Sequence, residues 1–416
     1  MKDSSSDQEA RDLACQRAWS SLAKDDPQGA AEALEPLATE TGTEEPVAEV
    51  WAAMLAWLDD LDHLEREVRR LAKTWAESPT VVAQLAISIQ RAWGRQRGGL
   101  EPASREGLVG LGVDLIDFCL ERSPPSKPTD RASLYLKRAQ LLFFAGPLGD
   151  ERALSDYEIA LSLEPERSEA WFMLARLHLL RGRWEKAIIA TEQAQRFGLD
   201  EMRVGWNLSI ALTGLFSATP PQQRAPGLPL LSESWKLAGH QSFIEAGVTD
   251  ASGRFVAPGI DRQWVCLTSY MGRIGGGWDL TQEWKSEIVL VQALSPCHGR
   301  ILHPTHAILP ADFDDLVIWD PQPIDFISRG EGEEAPVFRA IAILERGDAI
   351  SRPLRSERLD ADRLTQLNES LPSGVFYHQA PEEVCGDELP GKLCWPRGSV
   401  AQDMIESYKI SRQALD

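Results

Sequence analysis

The sequence predicts a multidomain protein, in which an N-terminal all-α array of helical hairpins is followed by a small α+β domain with a mostly antiparallel sheet or an open barrel. Three observations predict this class. Apolar residues recur at three- and four-residue spacings from about residue 7 to 216, as in amphipathic helices. The stretch "SATPPQQRAPGLPL" (217–230) is rich in proline and polar residues. Beyond it the apolar period moves toward two, as in strands.

The helical half consists of amphipathic segments joined by short connections, with prolines and glycines between the segments rather than inside them. Consecutive helices with short joints favour repeated hairpins. A helical bundle without a repeat stays open as the alternative. The predicted helices span 7–24, 28–39, 46–59, 61–77, 79–96, 103–122, 130–145, 150–163, 167–181, 184–197 and 201–216.

Two adjoining stretches carry a specific repeat pattern, "YLKRAQLLFFAGPLGDERALSDYEIALSLEP" (135–165) and "SEAWFMLARLHLLRGRWEKAIIATEQAQRFGLD" (168–200). Small residues let two antiparallel helices approach closely, large residues fill the space to the next hairpin, and glycine or proline ends a helix. The pattern resembles the tetratricopeptide repeat (TPR). The matching residues are Tyr135, Ala139, Leu142, Gly146, Ala153, Tyr157, Ala160 and Pro165, then Trp171, Leu174, Ala175, Gly182, Trp184, Ala187 and Ala194.

The resemblance implies a superhelical array whose first helices line a groove for a protein or peptide. One subset of the family grips a partner's terminal carboxylate with Lys, Asn and Arg. At the comparable positions stand Leu136, Gln140, Met173, Arg203 and Asn207, so most of that grip is absent. The groove residues that the resemblance implies are Gln140, Arg176, His178, Arg203 and Asn207.

The second half shows strand-like alternation at 262–271, 286–294, 299–303, 315–320, 336–344 and 374–379, and helical pattern at 360–371 and 399–415. We expect a TPR-like hairpin domain at 1–218, a proline-rich linker and irregular segment at 219–261, and an α+β domain at 262–416.

The stretch "SPCHGRILHPTH" (295–306) raises the question of a metal site. Zinc favours Cys and His ligands, and Cys297, His303 and His306 are candidates. In an extended chain, however, Cys297 and His303 lie about 20 Å apart. A strand followed by a turn is therefore the preferred interpretation, and a Cys–His nucleophile pair is a third.

Two other polar groups have simpler interpretations. His378, Cys385 and Cys394 are expected to anchor a loop, because the cysteine spacing is unlike a zinc knuckle. The carboxylates of "PADFDDLVIWD" (310–320) are expected to be solvated turn residues rather than a divalent cation site.

The formal net charge of −20 repels phosphate backbones and anionic lipid, so neither nucleic acid nor a membrane is an expected partner. Six scattered cysteines, and no apolar segment of signal-peptide or membrane-span length, indicate a cytoplasmic protein. Phosphate-loop, GxSxG and HExxH motifs do not occur. No catalytic residue and no cofactor is predicted.

These observations favour a protein-interaction adaptor. Its repeats bind a protein or peptide, and its α+β domain is a second binding or effector module. One alternative is a metal- or thiol-dependent enzyme that acts on a protein recruited by the repeats, with zinc as its cofactor. Another is an assembly or immunity-type protein that blocks a basic partner.

Overall fold

A computed structural model describes residues 4–35, 37, 45–58, 60–95, 106–144, 149–224, 227–268, 286–305, 309–330, 333–355, 359–379 and 390–413. The chain divides into two compact units, Met1–Leu177 (unit 1) and His178–Asp416 (unit 2). The boundary between the units falls within a helix, and the domain limits expected from the sequence stay a prediction.

The described regular elements of unit 1 are all helices, and a 3-10 turn (Leu55–Trp57) follows the third of them. Each helix predicted there overlaps an observed one. The helices are α1 (Ser4–Leu22), α2 (Pro27–Leu34), α3 (Glu45–Met54), α4 (Leu61–Trp75), α5 (Pro79–Arg95), α6 (Glu106–Arg122), α7 (Pro128–Phe144), α8 (Asp150–Leu163) and α9 (Ser168–Leu180), which crosses into unit 2.

Alternate helices of unit 1 contact one another. Helix α3 packs on α5 and α5 packs on α7, while α6 packs against both α5 and α7. The contacts of α3, α5 and α7 are those expected when the first helices of successive hairpins form one row. We call α3, α5 and α7 the first-helix row.

Alanines at the positions of the repeat pattern are buried where α7 and α8 pack together. Ala139 on α7 and Ala153 and Ala160 on α8 are each 0% exposed. Because an alanine side chain ends at Cβ, it brings two helix backbones together without leaving a cavity. The first quoted repeat is therefore a helical hairpin.

Unit 2 begins with helices and continues into sheets. Helix α11 packs between α10 and α12, and it also contacts two strands of the following barrel. The segment predicted as an irregular linker contains two helices and a small antiparallel sheet. The elements are α10 (Trp184–Arg196), α11 (Glu201–Ala218), α12 (Leu228–Leu237), α13 (Gln241–Ala246), β1 (Val248–Thr249) and β2 (Phe255–Val256).

Arg224 holds this segment in place. Its guanidinium donates hydrogen bonds to the carbonyl oxygens of Ser217 and Thr219 at the end of α11, and to that of Ser252 beyond α13. The carbonyls at a helix end lack partners inside the helix, so one buried arginine satisfies them and fixes the returning chain.

A five-stranded closed barrel follows. Neighbouring strands pair antiparallel, except that β3 runs parallel to β7, with Val265 opposite Phe338. This parallel pair closes the barrel, so the prediction of a mostly antiparallel sheet or an open barrel is corrected to a mostly antiparallel closed barrel. The strands are β3 (Gln263–Thr268), β4 (Ser286–Ser295), β5 (His298–Ile301), β6 (Leu316–Gly330) and β7 (Glu333–Glu345).

The barrel core is aliphatic apart from Trp319, and residues such as Val289, Val291 and Val317 are 0% exposed. Strand β6 contains Pro321 and Pro323, and its register against β7 shifts on both sides of Pro323. Proline donates no backbone hydrogen bond, so in a strand it is tolerated where a bulge interrupts the ladder.

The chain ends in a second small sheet covered by two helices. Its strand order is β8-β10-β9, and both pairs are antiparallel. Tyr377, Leu393 and Trp395 form its core against the helices. The elements are β8 (Ala349–Arg355), α14 (Ala361–Ser370), β9 (Phe376–His378), β10 (Pro390–Pro396) and α15 (Ala401–Gln413).

Candidate binding sites

Lys137 lies on α7, in the first-helix row of unit 1. Its side chain is half-buried, and its ammonium donates a hydrogen bond to Oε1 of Gln140, one turn further along the helix, at 3.2 Å. In the described part of the chain, no carboxylate forms an ion pair with Lys137. A half-buried ammonium with only a neutral partner is incompletely compensated.

Two further cations act on Lys137. Burial lowers the pKa of Lys137, the charge of Arg167 lowers it further, and Arg91 adds to this effect, while Glu169 partly opposes it. Arg167 donates to Ser133 Oγ, one turn before Lys137, at 3.0 Å. We call Arg91, Lys137, Gln140 and Arg167 the Lys137 cluster. An anion within it would raise the pKa of Lys137 and so oppose the effects of burial and of the two arginines.

An apolar cavity of about 400 Å³ lies close to the cluster in unit 1. The ring of Trp57 forms part of its wall, and the Arg91 guanidinium lies over the same ring, 5.6 Å from its centroid. Trp57 therefore connects the cavity to the Lys137 cluster. The other lining residues are Pro27, Trp51, Met54, Leu55, Leu58, His63, Glu67 and Arg70.

The groove residues implied by the repeat resemblance have unequal exposure. Gln140, His178 and Asn207 are 4%, 6% and 1% exposed. Arg176 is half-buried with its guanidinium over the Phe172 ring, and the exposed Arg203 pairs with Asp200 at 2.9 Å. Their role in partner binding stays a prediction. Gln140 is the one that contacts Lys137, and Lys137 was not among the residues predicted from the sequence.

The cysteine- and histidine-rich stretch forms a strand and a tight turn. Cys297 lies in the turn between β4 and β5, and β5 begins at His298. The Ser295 hydroxyl accepts the backbone N–H groups of Cys297 and His298, each at 3.1 Å, and contacts Nδ1 of the His298 ring. These are the bonds of a serine that closes a turn.

This geometry gives little support to a metal site or to a Cys–His nucleophile pair. Burial raises the pKa of the Cys297 thiol to about 12, so it is protonated at neutral pH. Nε2 of His303 accepts the backbone N–H of Leu290 at 3.1 Å, which occupies that lone pair. His306 and Cys385 lie outside the described residues, within which no three His, Cys, Asp or Glu side chains converge as a metal site. A site at Cys297, His303 and His306 stays a prediction.

The carboxylates of 310–320 are structural rather than solvated. Asp312 accepts the backbone N–H of Thr305 at 2.8 Å, the hydroxyl of Ser351, and the ammonium of Lys392 at 3.3 Å. Despite desolvation, these bonds hold the pKa of Asp312 below its ordinary value. They join the loop before β6 to strands β8 and β10.

Unit 2 contains an open cleft of about 490 Å³ between its helices and the barrel. We call it the aromatic cleft. Trp206 on α11 contacts the rings of Trp235 and His240 edge to face, with centroids 5.4 and 4.5 Å apart. The lining residues are Trp206, His240, Ser242, Phe243, Ala246, Ala257, Pro258, Gly259, Ile260, Gln263, Pro296, Pro321 and Phe338.

The sequence matches no family model and no curated protein. Two solved structures, both described as crystal structures of MamA, have some similarity to the chain. One is 13% identical with a TM-score of 0.31, and the alignment covers 42% of this chain and 88% of that one. The other is 12% identical with a TM-score of 0.33, and the alignment covers 58% of this chain and 100% of that one. Similarity at this level supports no conclusion about fold or function.

In the described residues, no helix combines the length and the apolar character needed to cross a membrane. The chain has one unit of helical hairpins. Its other unit consists of helices, a closed barrel and further small sheets.

Proposed function

We propose that the protein is an interaction adaptor, whose unit 1 binds a partner segment that carries a carboxylate beside a large apolar side chain. One observation carries the proposal. The ammonium of Lys137 is half-buried, the charges of Arg167, Glu169 and Arg91 act on it, and in the described residues it forms a hydrogen bond to the neutral Gln140 and no ion pair with a carboxylate.

The electrostatics of the Lys137 cluster favour an anion. Burial and the neighbouring cations both make the charged form of Lys137 less stable than in water. A partner carboxylate would supply the missing counter-charge, and a charge-assisted hydrogen bond contributes about 1.5–3 kcal/mol. That contribution corresponds to a tenfold or greater change in affinity.

The cavity beside Trp57 supplies a second contact. An aliphatic or aromatic side chain of the partner would fill it, while a carboxylate next to that side chain reaches the cluster past the Arg91–Trp57 contact. Apolar anchors in pockets with polar surroundings are the usual basis of peptide recognition.

An array of short peptides tests this function with the full-length protein. The peptides come in pairs that differ only in one Glu or Gln beside a Phe or Leu. We expect binding to favour the Glu member about tenfold. Lys137→Met should abolish that preference. Lys127→Met, which removes an exposed lysine just before the same helix, should retain it.

The adaptor proposal fails if the Glu and Gln members bind alike, if no peptide binds, or if Lys137→Met keeps the preference. The thiol form of the enzyme alternative has less support, because the Cys297 thiol is fully buried and its pKa is raised. The blocking of a basic partner rests on net charge alone.

A further inference from the structure

The aromatic cleft of unit 2 has the composition of a ligand pocket. Its volume of about 490 Å³ lies in the usual range for such sites, and its walls are aromatic or aliphatic with a few polar groups. Trp206, Ile260 and Phe338 are half-buried, so each leaves apolar surface in the cleft.

No charged side chain lines the cleft in the described part of unit 2. Its one titratable lining group is His240, and burial lowers the pKa of that imidazole, which keeps it neutral at pH 7. A charged ligand group would lose its hydration here and gain no counter-ion. The residues that line the cleft therefore disfavour a ligand with either a positive or a negative charge.

The shape of the cleft is fixed by its backbone. Pro296 lies in the β4–β5 turn, Pro321 lies at the irregular part of β6, and Pro258 precedes Gly259, whose φ is +79°. Proline fixes φ and offers no N–H, so these walls are rigid and poor in hydrogen-bond donors. Rigid walls reduce the entropic cost of binding.

We propose that the aromatic cleft binds an uncharged aromatic small molecule. The ligand's rings lie between Trp206 and Phe338, and edge-to-face or offset contacts between rings add about 0.5–1.5 kcal/mol per pair beyond burial. Gln263 gives one polar contact. Its Nε2 donates to the Asp261 carbonyl at 3.2 Å, which leaves its amide oxygen to accept a bond from the ligand.

This site is separate from the peptide site of unit 1 and goes beyond the adaptor function. It requires no residue of the Lys137 cluster. Lys137→Met should leave ligand binding in the cleft unchanged, so failure of either proposal is distinguishable from failure of the other.

A pair of fluorescent probes tests the class of ligand. N-phenyl-1-naphthylamine is uncharged, and 1-anilino-8-naphthalenesulfonate has the same rings with an added sulfonate. We expect the full-length protein to bind the uncharged probe saturably at one site, and the sulfonate at least about tenfold more weakly, since a tenfold ratio needs only about 1.4 kcal/mol.

Variants locate the probe. Ala246 lines the cleft and is exposed at the end of α13, so Ala246→Trp fills the cleft without disturbing the core, and Ser242→Trp does the same from the preceding turn. Both should weaken binding at least about tenfold. Glu245→Trp, on the same helix but outside the lining, should not.

Three results would overturn the proposal. The first is no saturable binding of the uncharged probe, as expected if only an apolar protein segment fits the cleft. The second is equal affinity for the sulfonate. The third is that Ala246→Trp and Ser242→Trp both bind the uncharged probe as tightly as the wild type does.

Discussion

Arg138 makes the most complete ion pairing in unit 1. Its guanidinium donates to both carboxylate oxygens of Asp156, at 2.7 and 2.6 Å, and to Asp117. Burial is the largest single effect on Arg138 and opposes its charge, but the hydrogen bonds and charges of Asp156 and Asp117 together outweigh it and raise the pKa of Arg138. The Asp156 side chain is 2% exposed, so α7 and α8 are joined by a charge pair shielded from water.

We predict that Asp156→Asn lowers the free energy of unfolding by about 3 kcal/mol, because it removes the more deeply buried of the two carboxylates that pair with the Arg138 guanidinium and leaves only Asp117. Urea unfolding of the full chain measures this change. Arg69→Met, which breaks the exposed Arg69–Glu65 pair on α4, should cost less than about 1 kcal/mol. Equal losses for the two variants would contradict this account of the buried pair.

Buried histidines make unit 2 sensitive to acid. Burial lowers the pKa of His298 to about 3 and that of His178 to about 4, from an ordinary value of 6.5. Between pH 6.5 and these lowered pKa values, the two histidines bind protons in the unfolded chain but not in the folded chain. The stability is therefore present above pH 6.5 and is lost as the pH falls through this range.

At pH 5 we predict a loss of about 2 kcal/mol per buried histidine relative to pH 7. Urea unfolding at both pH values measures it. His298→Gln should reduce the difference, whereas His63→Gln, at an exposed position of α4, should not. A pH dependence unchanged by His298→Gln would be inconsistent with this assignment.

At the residue scale, the sequence analysis named one residue of the Lys137 cluster, Gln140, but not Lys137. The repeat resemblance led to Gln140, which contacts Lys137. Nothing in the repeat pattern distinguishes Lys137 from other lysines on the predicted helices. Its special character depends on Arg91 and Arg167, which are distant in sequence and are brought near by the stacking of hairpins.

Helix α11 shows how one element is fitted to its neighbours. A Cβ added at Gly214 would lie 2.4 Å from the ring of Trp184 on α10, and one at Gly205 would lie 2.4 Å from the backbone nitrogen of Ala238. Both distances are too short for real atoms, so α11 approaches its neighbours closely because it carries glycine there.

We predict that Gly214→Ala lowers the stability of the protein by more than about 1 kcal/mol, because the methyl group displaces the indole. Gly110→Ala on α6 is the matched control. Nothing lies within 4 Å of its added Cβ, so we expect a gain of about 0.5–1 kcal/mol. Calorimetric unfolding measures the stability of both variants. If Gly110→Ala is destabilising as well as Gly214→Ala, helix propensity does not determine the effect of the substitution in α6.

Two of the elements that the sequence did not predict, α12 and β8, contain a proline. Helix α12 begins with Leu228-Pro229, where proline suits the first turn, but the surrounding segment looked like a linker. Strand β8 contains Pro353 and lies at the edge of its sheet, where proline is tolerated. Closure of the barrel was also not predicted, because β3 and β7, the two strands that pair to close it, are far apart in sequence.

At the scale of the whole molecule, charge restricts the partner. A net charge of −20 repels a strongly acidic chain, and this repulsion is screened beyond about 8 Å at physiological salt. The Lys137 cluster acts at shorter range. A segment with one carboxylate in a neutral or basic partner satisfies both conditions, so we expect acidic runs to bind poorly.

The most direct test of the adaptor proposal is a charge exchange at Lys137, measured as peptide affinity with the full-length protein. The wild type should prefer the Glu form of a bound peptide to its Lys form, and Lys137→Glu should reverse the order, with a coupling energy of at least about 1.4 kcal/mol. Affinities that change independently, with no coupling between residue 137 and the peptide charge, would contradict it.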